Sequence, residues 1–544
     1  MAGGVADGNR HGHGTAKTRF LAVKRFAARP SRSGLVAGLV TVALAMAILL
    51  SGIACSAGGR TQPSDFSGQN LLLITIDTLR PDRLGAYGFT GAATPRLDEL
   101  SHGGVRFETC YSQVPLTLPS HSTLMTGRLP FSHGVRNNGV NELAASEQTL
   151  AEIFAQQGYA TSAIVAAYVL LSRFGLAQGF ASYDDALGGD LLQGFKSELH
   201  ADEIYRKFQR WLHGRRAGKF FAWVHFYDPH LPYEPPPDLG DRFAADPYSG
   251  EVAAVDRAVG KIIDDLRAAG LLEQTLVVVT SDHGEAFGEH GEHGHSIFGY
   301  EQNLRVPLIF YAPGRLTPER LVSDRVRLVD LMPTLLELFR LPAPTAIDGH
   351  SFGDLLRGER RKRPDDVYFE SFAGQLEKNW APVQGLIVGE RKYVSLPEPE
   401  LYDLGADPGE SENLFARERR SAHELDEALR ALLIAAAGRA AGSERALDTE
   451  DTEHLTALGY LSPAAQRASK VLDPKRGIII DHSLGEIEAA LAEGESARAG
   501  AQLDRLVSEN PDVEMPAFFE LRSRIAKARG DRAAAIAALE QGRG

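Results

Sequence analysis

Residues 70–77 read Asn-Leu-Leu-Leu-Ile-Thr-Ile-Asp. The run is continuously apolar and ends on a carboxylate. It reads as a parallel strand buried on both sides, with its C-terminal end facing a site. Comparable apolar strands recur at 160–165, 220–226, 276–280 and 306–310, with helical segments such as 248–269 between them. A short helix is expected over 94–102, with Thr94 as cap and Pro95 at its first position. Alternating strands and helices predict an α/β sheet with helices on both faces. At 544 residues the chain exceeds one ordinary core, so two or more domains are expected.

The N-terminus differs from the rest. Lys17, Arg19, Lys24, Arg25, Arg29 and Arg32 lie in a basic segment, 1–33, that precedes an apolar run over 34–54. That run is long enough to span a bilayer as a helix. Positive charge before it places the N-terminus in the cytoplasm and the bulk of the chain outside. Cys55 follows Gly52-Ile53-Ala54 and resembles a bacterial lipobox with an atypical first position. An uncleaved anchor, a lipoprotein and a cleaved signal all remain open, and all three export the chain to the cell envelope. Residues 55–68 are a polar, Gly-containing tether. The net charge of -13 argues against a nucleic-acid partner. The two cysteines, Cys55 and Cys110, cannot build a disulfide framework.

The stretch 115–128 reads Pro-Leu-Thr-Leu-Pro-Ser-His-Ser-Thr-Leu-Met-Thr-Gly-Arg. It resembles the signature of the sulfatase family, Cys-x-Pro-Ser-Arg-x-x-Leu-x-Thr-Gly-Arg. Thr117 stands where the family has the cysteine that becomes formylglycine, and His121 stands where it has arginine. Farther on, Leu401-Tyr402-Asp403-Leu404 with Asp407-Pro408, Glu410, Asn413 and Leu414 resembles the closing segment of such domains. The likeness covers about 70 to 435. It implies an alkaline-phosphatase/sulfatase-type mixed sheet flanked by helices over 69–345. A small C-terminal antiparallel subdomain over 346–440 is implied as well, and short strands are expected there at 368–369, 385–388 and 392–394. After a linker, 441–479, the Ala-rich tail 480–544 is helical, broken at Asn510-Pro511 and Gly530-Asp531. It resembles tetratricopeptide hairpins, but one or two units fall short of a free-standing array. Packing on the enzyme or pairing with a protein partner is expected instead.

The resemblance also implies a ligand set. Asp77, Thr117, Asp282 and His283 match the family's metal-and-nucleophile positions, each at or just after a strand end. Two carboxylates, an imidazole and a hydroxyl suit one divalent ion, with Ca, Mg, Mn and Zn not distinguished. Such an ion lowers the pKa of the Thr117 hydroxyl and neutralises charge on the substrate. Pro119 marks a helix start beside Thr117 whose first amides favour an anion. His225 and His230 lie in a loop similar to the family's His-x-x-x-x-His-x-Pro. His230 is the candidate general acid, and His225 a substrate contact or a loop-ordering group. His295, in 289–295, replaces the lysine that formylglycine enzymes carry; a second metal site or a solvated loop are the alternatives. His133 and Arg136 resemble a pocket-shaping loop, and His121 completes the catalytic candidates.

Thr78 replaces a second family aspartate, and a cationic Gly-Lys-Trp-His segment is absent after 158–161. The set Asp, Thr, Asp, His is similar to that of phosphodiester transferases with a threonine nucleophile. The expected activity is metal-dependent cleavage of sulfate or phosphate esters of a glycan, lipid or small molecule. A phosphoglycerol- or phosphoethanolamine-type transferase is the alternative, and a degenerate scaffold the second. A sulfated threonine cannot collapse to an aldehyde, which favours phosphorus esters. The family name favours sulfate.

Overall fold

The computed structural model describes residues 65–187, 199–360, 366–437, 443–444, 452, 471–513 and 515–542. The expected anchor 34–54 and Cys55 lie outside the described residues. Among the described residues no helix is long and apolar enough to cross a membrane.

The run that opened the sequence reading forms the strand Asn70–Ile76, buried along its whole length near the middle of a nine-stranded sheet. It pairs in parallel with Phe220–Phe226 on one side and Thr275–Thr280 on the other. Ala160–Ile164 and then Ser182–Asp184 extend the first side, also in parallel. On the second side Arg305–Tyr311 runs antiparallel to Thr275–Thr280 and to Val105–Tyr111. Arg320–Val322 and Val326–Arg327 pair in parallel with Val105–Tyr111. The sheet is therefore mixed. Leu71, Leu72, Leu73, Ile74 and Ile76 are all fully buried. At about 1.5–3 kcal/mol per apolar side chain, this strand alone anchors much of the core.

Flanking helices fix the strand ends. The helix Pro247–Ala268 begins with Asp246 accepting from the Ser249 amide at 3.3 Å. Its Tyr248 hydroxyl accepts from Arg80 N at 2.9 Å and donates to Thr78 O at 2.8 Å. The loop that follows Asp77 is thereby tied to a rigid element.

The second sheet is antiparallel in the order Val367–Ser371, Val383–Val388, Arg391–Ser395, Glu400–Asp403. The helix Arg419–Ala436 packs on it through Leu425 and Leu429 against Leu386, Tyr393 and Leu401. Glu370 N donates to Gln113 O at 2.9 Å, and Val329 N donates to Gln113 Oε1 at 3.0 Å, joining this sheet to the strand-end region of the main one. Lys392 and Glu410, both buried, form an ion pair at 2.7 Å beneath the junction.

The tail consists of the helices Pro474–Ala492, Ser496–Glu509, Pro516–Ala528 and Arg532–Gln541. The breaks fall at the expected residues. The first helix begins at Pro474, ahead of the expected boundary at 480. Ile480, Leu484, Leu503, Phe518 and Ile525 give the tail its own core.

Candidate active site

Four chain segments converge beyond the C-terminal ends of the parallel strands, where open α/β sheets place their ligands. Asp77 follows Ile76 directly, and its amide donates to Phe226 O at 2.9 Å. Asp282 and His283 follow Thr275–Thr280. Ser281 Oγ lies 2.6 Å from the carbonyls of both Ile76 and His283, so the two strand ends share one clamp. Thr117 is the first residue of the helix Thr117–Thr126. The helix's Ser120 Oγ donates to Asp282 O at 2.7 Å, and Leu118 N donates to Asn138 Oδ1 at 2.9 Å.

Asp77, Asp282 and His283 are fully buried, and one ligand atom from each lies within 4.8 Å of the others. Thr117 Oγ1 sits 3.3 Å from His283 Nε2 and 3.5 Å from Asp77 Oδ2. Asp77 Oδ1 and Asp282 Oδ2 have no hydrogen-bond partner. Burial pushes both carboxyls above the ordinary range, with Asp77 adding to the shift of Asp282. Burial alone would lower His283, but the carboxylates of Asp282 and Asp77 outweigh it and raise its imidazole. Orphaned buried oxygens beside an imidazole and a hydroxyl are the donor chemistry of a hard or borderline divalent cation. The residues fit such an ion.

The sulfatase family model matches residues 69–341, half of the chain, and the N-sulphoglucosamine sulphohydrolase C-terminal model matches 288–437. The chain belongs to the sulfatase family. By family it is a sulfuric ester hydrolase. It is 26% identical over 441 residues to arylsulfatase A of Homo sapiens, covering 67% of this chain and 87% of that protein. It is 25% identical over 442 residues to the Delta 4,5-hexuronate-2-O-sulfatase of Bacteroides thetaiotaomicron, covering 66% and 86%. The phosphonate monoester hydrolase of Agrobacterium radiobacter has a similar fold. Its TM-score is 0.58 at 22% identity, over 68% of this chain and 96% of that one. Sulfatases generally bind a divalent metal, in keeping with the donor set.

Around this sulfatase's cluster the remaining histidines divide into two groups. His121 is fully buried behind Thr117, against Trp223 and His225. Its Nδ1 lies 2.8 Å from the Thr117 carbonyl, which can only accept, so Nδ1 carries the proton. Nε2 then accepts from Thr75 Oγ1 at 3.1 Å, and Thr75 accepts from Trp223 Nε1 at 2.9 Å. A chain of donors thus ends on the backbone of Thr117. His225 accepts from Ala166 N through Nδ1 at 3.3 Å and points Nε2 at Asp77 Oδ2, 3.5 Å away. Burial lowers both His121 and His225 to about 4.

His230 donates from Nδ1 to Leu231 O at 2.6 Å, leaving a buried Nε2 with no partner. Its ring is 4.9 Å from that of His295, which lies 4.4 Å from His283. His295 Nδ1 faces Glu285 Oε2 at 3.4 Å. Burial lowers His230 and His295 and raises Glu285 to about 7.

His133 and Arg136 are placed elsewhere. His133 Nε2 meets Thr123 Oγ1 at 3.0 Å, and its Nδ1 accepts from Val135 N at 3.1 Å. Both ring nitrogens are occupied by partners within the protein. Arg136 Nε donates to Glu370 Oε1 at 2.8 Å, and its guanidinium lies 4.0 Å from the Phe372 ring centroid. Its charge is matched by the second sheet.

Thr75, Trp223 and Glu285 join the surroundings of the site without a place among the residues expected from the sequence. Glu285 closes the segment 281–285, Ser-Asp-His-Gly-Glu, next to the ligand candidates Asp282 and His283. Thr75 and Trp223 sit inside apolar strands, where nothing marks a hydrogen-bonding role before the helix is docked. Thr78 adopts φ 53, a left-handed conformation that is strained for a β-branched residue. Its hydroxyl donates to Pro229 O, tying the Asp77 loop to the His230 loop.

Proposed function

We propose that this enzyme cleaves monoanionic esters with Thr117 as the nucleophile. The observation that carries the reading is the Thr117 hydroxyl at 3.3 and 3.5 Å from two members of the ligand cluster. Asp77, Asp282 and His283 would hold a divalent cation there. When bound, that ion favours the alkoxide of Thr117 and offsets charge developing on the ester oxygens.

The chain's own residues perform the rest. The His121 relay holds the Thr117 backbone, and His225 orients Asp77. Thr117 gives up its hydroxyl proton to solvent as the site is loaded. Its Oγ1 attacks phosphorus or sulfur, forming an Oγ1–P or Oγ1–S bond as the bond to the leaving oxygen breaks. His230, with Nδ1 locked on Leu231 O, takes up a proton from solvent at Nε2 when the ester anion binds beside it and passes that proton to the leaving oxygen. It then takes a proton through the same atom from the water that attacks the threonine ester. Attack at phosphorus releases Thr117 by an ordinary in-line step. A sulfated threonine has no second hydroxyl through which to collapse.

Charge supports the monoanion. His121, His225, His230 and His295 are all held below their ordinary pKa by burial. Among the described residues no lysine or arginine side chain pairs with Asp77, Thr117, Asp282 or the Glu285 carboxylate. Arg80, which reaches Glu285 O at 2.9 Å, is committed to Asp82 and Glu289. A second negative charge on the ester costs about 4 kcal/mol per carboxylate 4 Å away at an effective dielectric near 20. Phosphodiesters, phosphonate monoesters and sulfate monoesters carry one charge, whereas a phosphate monoester carries two. The structural likeness to a phosphonate monoester hydrolase favours the same class.

The test is parallel turnover of aryl sulfate, aryl phosphonate, aryl phosphodiester and aryl phosphate at pH 8 with Mg, Mn, Ca and Zn. The phosphodiester and phosphonate should lead, with the phosphate monoester at least tenfold slower. A phosphate monoester turned over fastest would overturn the charge argument, and a sulfate ester fastest would overturn the threonine argument. The basic segment and apolar run before residue 55 support a catalytic unit held outside the cytoplasm at a bacterial envelope. Fractionation of cells tests that placement.

A further inference from the structure

The loop 288–296 carries His295 to the site, and it is an expensive loop to hold still. Gly288, His290, Gly291, Gly294 and Ser296 all have left-handed φ values, from 52 to 113. Glycines lose the most conformational freedom on ordering, and His and Ser gain nothing from this region. Rigidity must come from neighbours. One side is held by buried Glu292, which accepts from Ile297 N at 2.8 Å and Asn303 Nδ2 at 2.5 Å. The His290 ring stacks on Tyr300 at 3.8 Å.

The other side meets the tail. On the helix Pro474–Ala492, Ile478 packs toward Gly291, and His482 lies 5.8 Å from His293, ring to ring. The helix is seated by Trp380, 1% exposed, against Gly477, where an added Cβ would lie 2.4 Å from the indole. Ala381 N donates to Leu472 O at 2.8 Å, and Lys378 pairs with Asp481 at 2.7 Å. Side-chain-free close approach, a buried indole and an ion pair dock this helix firmly beside the loop.

We propose that the tail helix Pro474–Ala492 is a positioning element of the active site, clamping the loop 288–296 and so setting His295 beside His283. The proposal rests on the reading of His295 as a site residue. The full metal-loaded chain tests it through Gly477→Leu, which drives a side chain into Trp380 and unseats the helix. The variant should lose tenfold or more in kcat with KM within threefold, because small misplacements of a working group cost rate. Amide exchange over 288–296 should quicken. In a His295→Ala background the same substitution should cost less than twofold more, since the two act through one group. Equal losses in both backgrounds would mark a general structural effect and overturn the proposal. So would a kcat within twofold of the parent despite faster loop exchange, or exchange that does not change. A fully active His295→Ala single variant would instead remove His295 from the site and leave the clamp to be judged by exchange. Should Gly477→Leu not fold, Ile478→Ala carries the same comparison, with about a threefold loss in kcat expected and the same outcomes overturning it.

Discussion

Removing and restoring the divalent ion should move the melting temperature by several degrees, and the site gives the size. Ligand atoms of Asp77 and Asp282 lie within 4.8 Å of one another, with no solvent exposure. Two ionised carboxylates at that separation repel by about 3.5 kcal/mol at an effective dielectric near 20. Burial raises both pKa values in the metal-free protein. A raised folded-state pKa contributes stability that is present at low pH and lost as pH rises through it. The metal-free protein should therefore weaken as pH rises above the ordinary carboxylate range, whereas a cation that requires both carboxylates ionised should bind better as it rises. A cation at a hundred times its Kd adds about 2.7 kcal/mol. With about 2.1 cal/mol/K of unfolding entropy per residue over the roughly 370 residues of 69–437, that becomes about 3–4 °C. The assay is calorimetric melting of chelator-treated protein at pH 6 and 8, before and after adding Mg, Mn, Ca or Zn. The gain should be larger at pH 8 and absent in Asp282→Asn. Equal melting with and without every cation, or an undiminished gain in Asp282→Asn, would refute the ligand assignment.

Thr117→Ala should leave the fold intact and abolish turnover of every ester, and a residual rate above about a tenth would remove Thr117 as nucleophile. His121→Asn, whose amide can reproduce the Nδ1 donor to Thr117 O, should keep kcat within about tenfold; His121→Gln, which reproduces Nε2 instead, should lose about a hundredfold with KM little changed, and the reverse order would break the relay argument. Asp256 accepts from Leu97 N at 2.7 Å and is pushed up to about 7 by burial. Its stabilising contribution is present below its unfolded pKa and lost as pH rises through about 7, so Asp256→Asn should flatten the fall in melting temperature between pH 6 and 8.

Strands buried on both faces were the easiest part of the fold to read. Phe220–Phe226 falls at its expected boundaries, and Asn70–Ile76 stops one residue short of the carboxylate that ends the apolar run. Val105–Tyr111 escaped notice because Arg106, Glu108 and Thr109 interrupt its apolar residues, and only its partner strands make it part of the sheet. The reversed direction of Arg305–Tyr311 was equally hidden, since an apolar run carries no sign of its orientation. At the site, Asp77, Asp282, His283 and Thr117 were legible because each sits in a short motif at a strand or helix boundary. The bond between His133 and Thr123 of the helix Thr117–Thr126 has no signature in the local sequence. The tail's contact with the loop 288–296 joins segments nearly two hundred residues apart, and no local pattern encodes it.

The two departures from the family signature behave as one change. Thr117 needs no enzymatic oxidation, so the arginine that the modification motif requires has no task at position 121. His121 takes a different one. It bonds the Thr117 carbonyl at 2.8 Å while lying between Trp223 and His225, with ring centroids at 5.3 and 5.1 Å. A guanidinium is longer and permanently charged. In this space it would have to displace buried rings, and its charge would fall near Asp282, whose Oδ2 is 3.6 Å from His121 Nδ1. Restoring cysteine at 117 alone therefore leaves the modification motif incomplete, and restoring arginine at 121 alone overpacks the helix base. The route back to formylglycine chemistry then requires both changes together with relief at Trp223 or His225, which supports the proposed threonine chemistry over the loss of a cysteine alone.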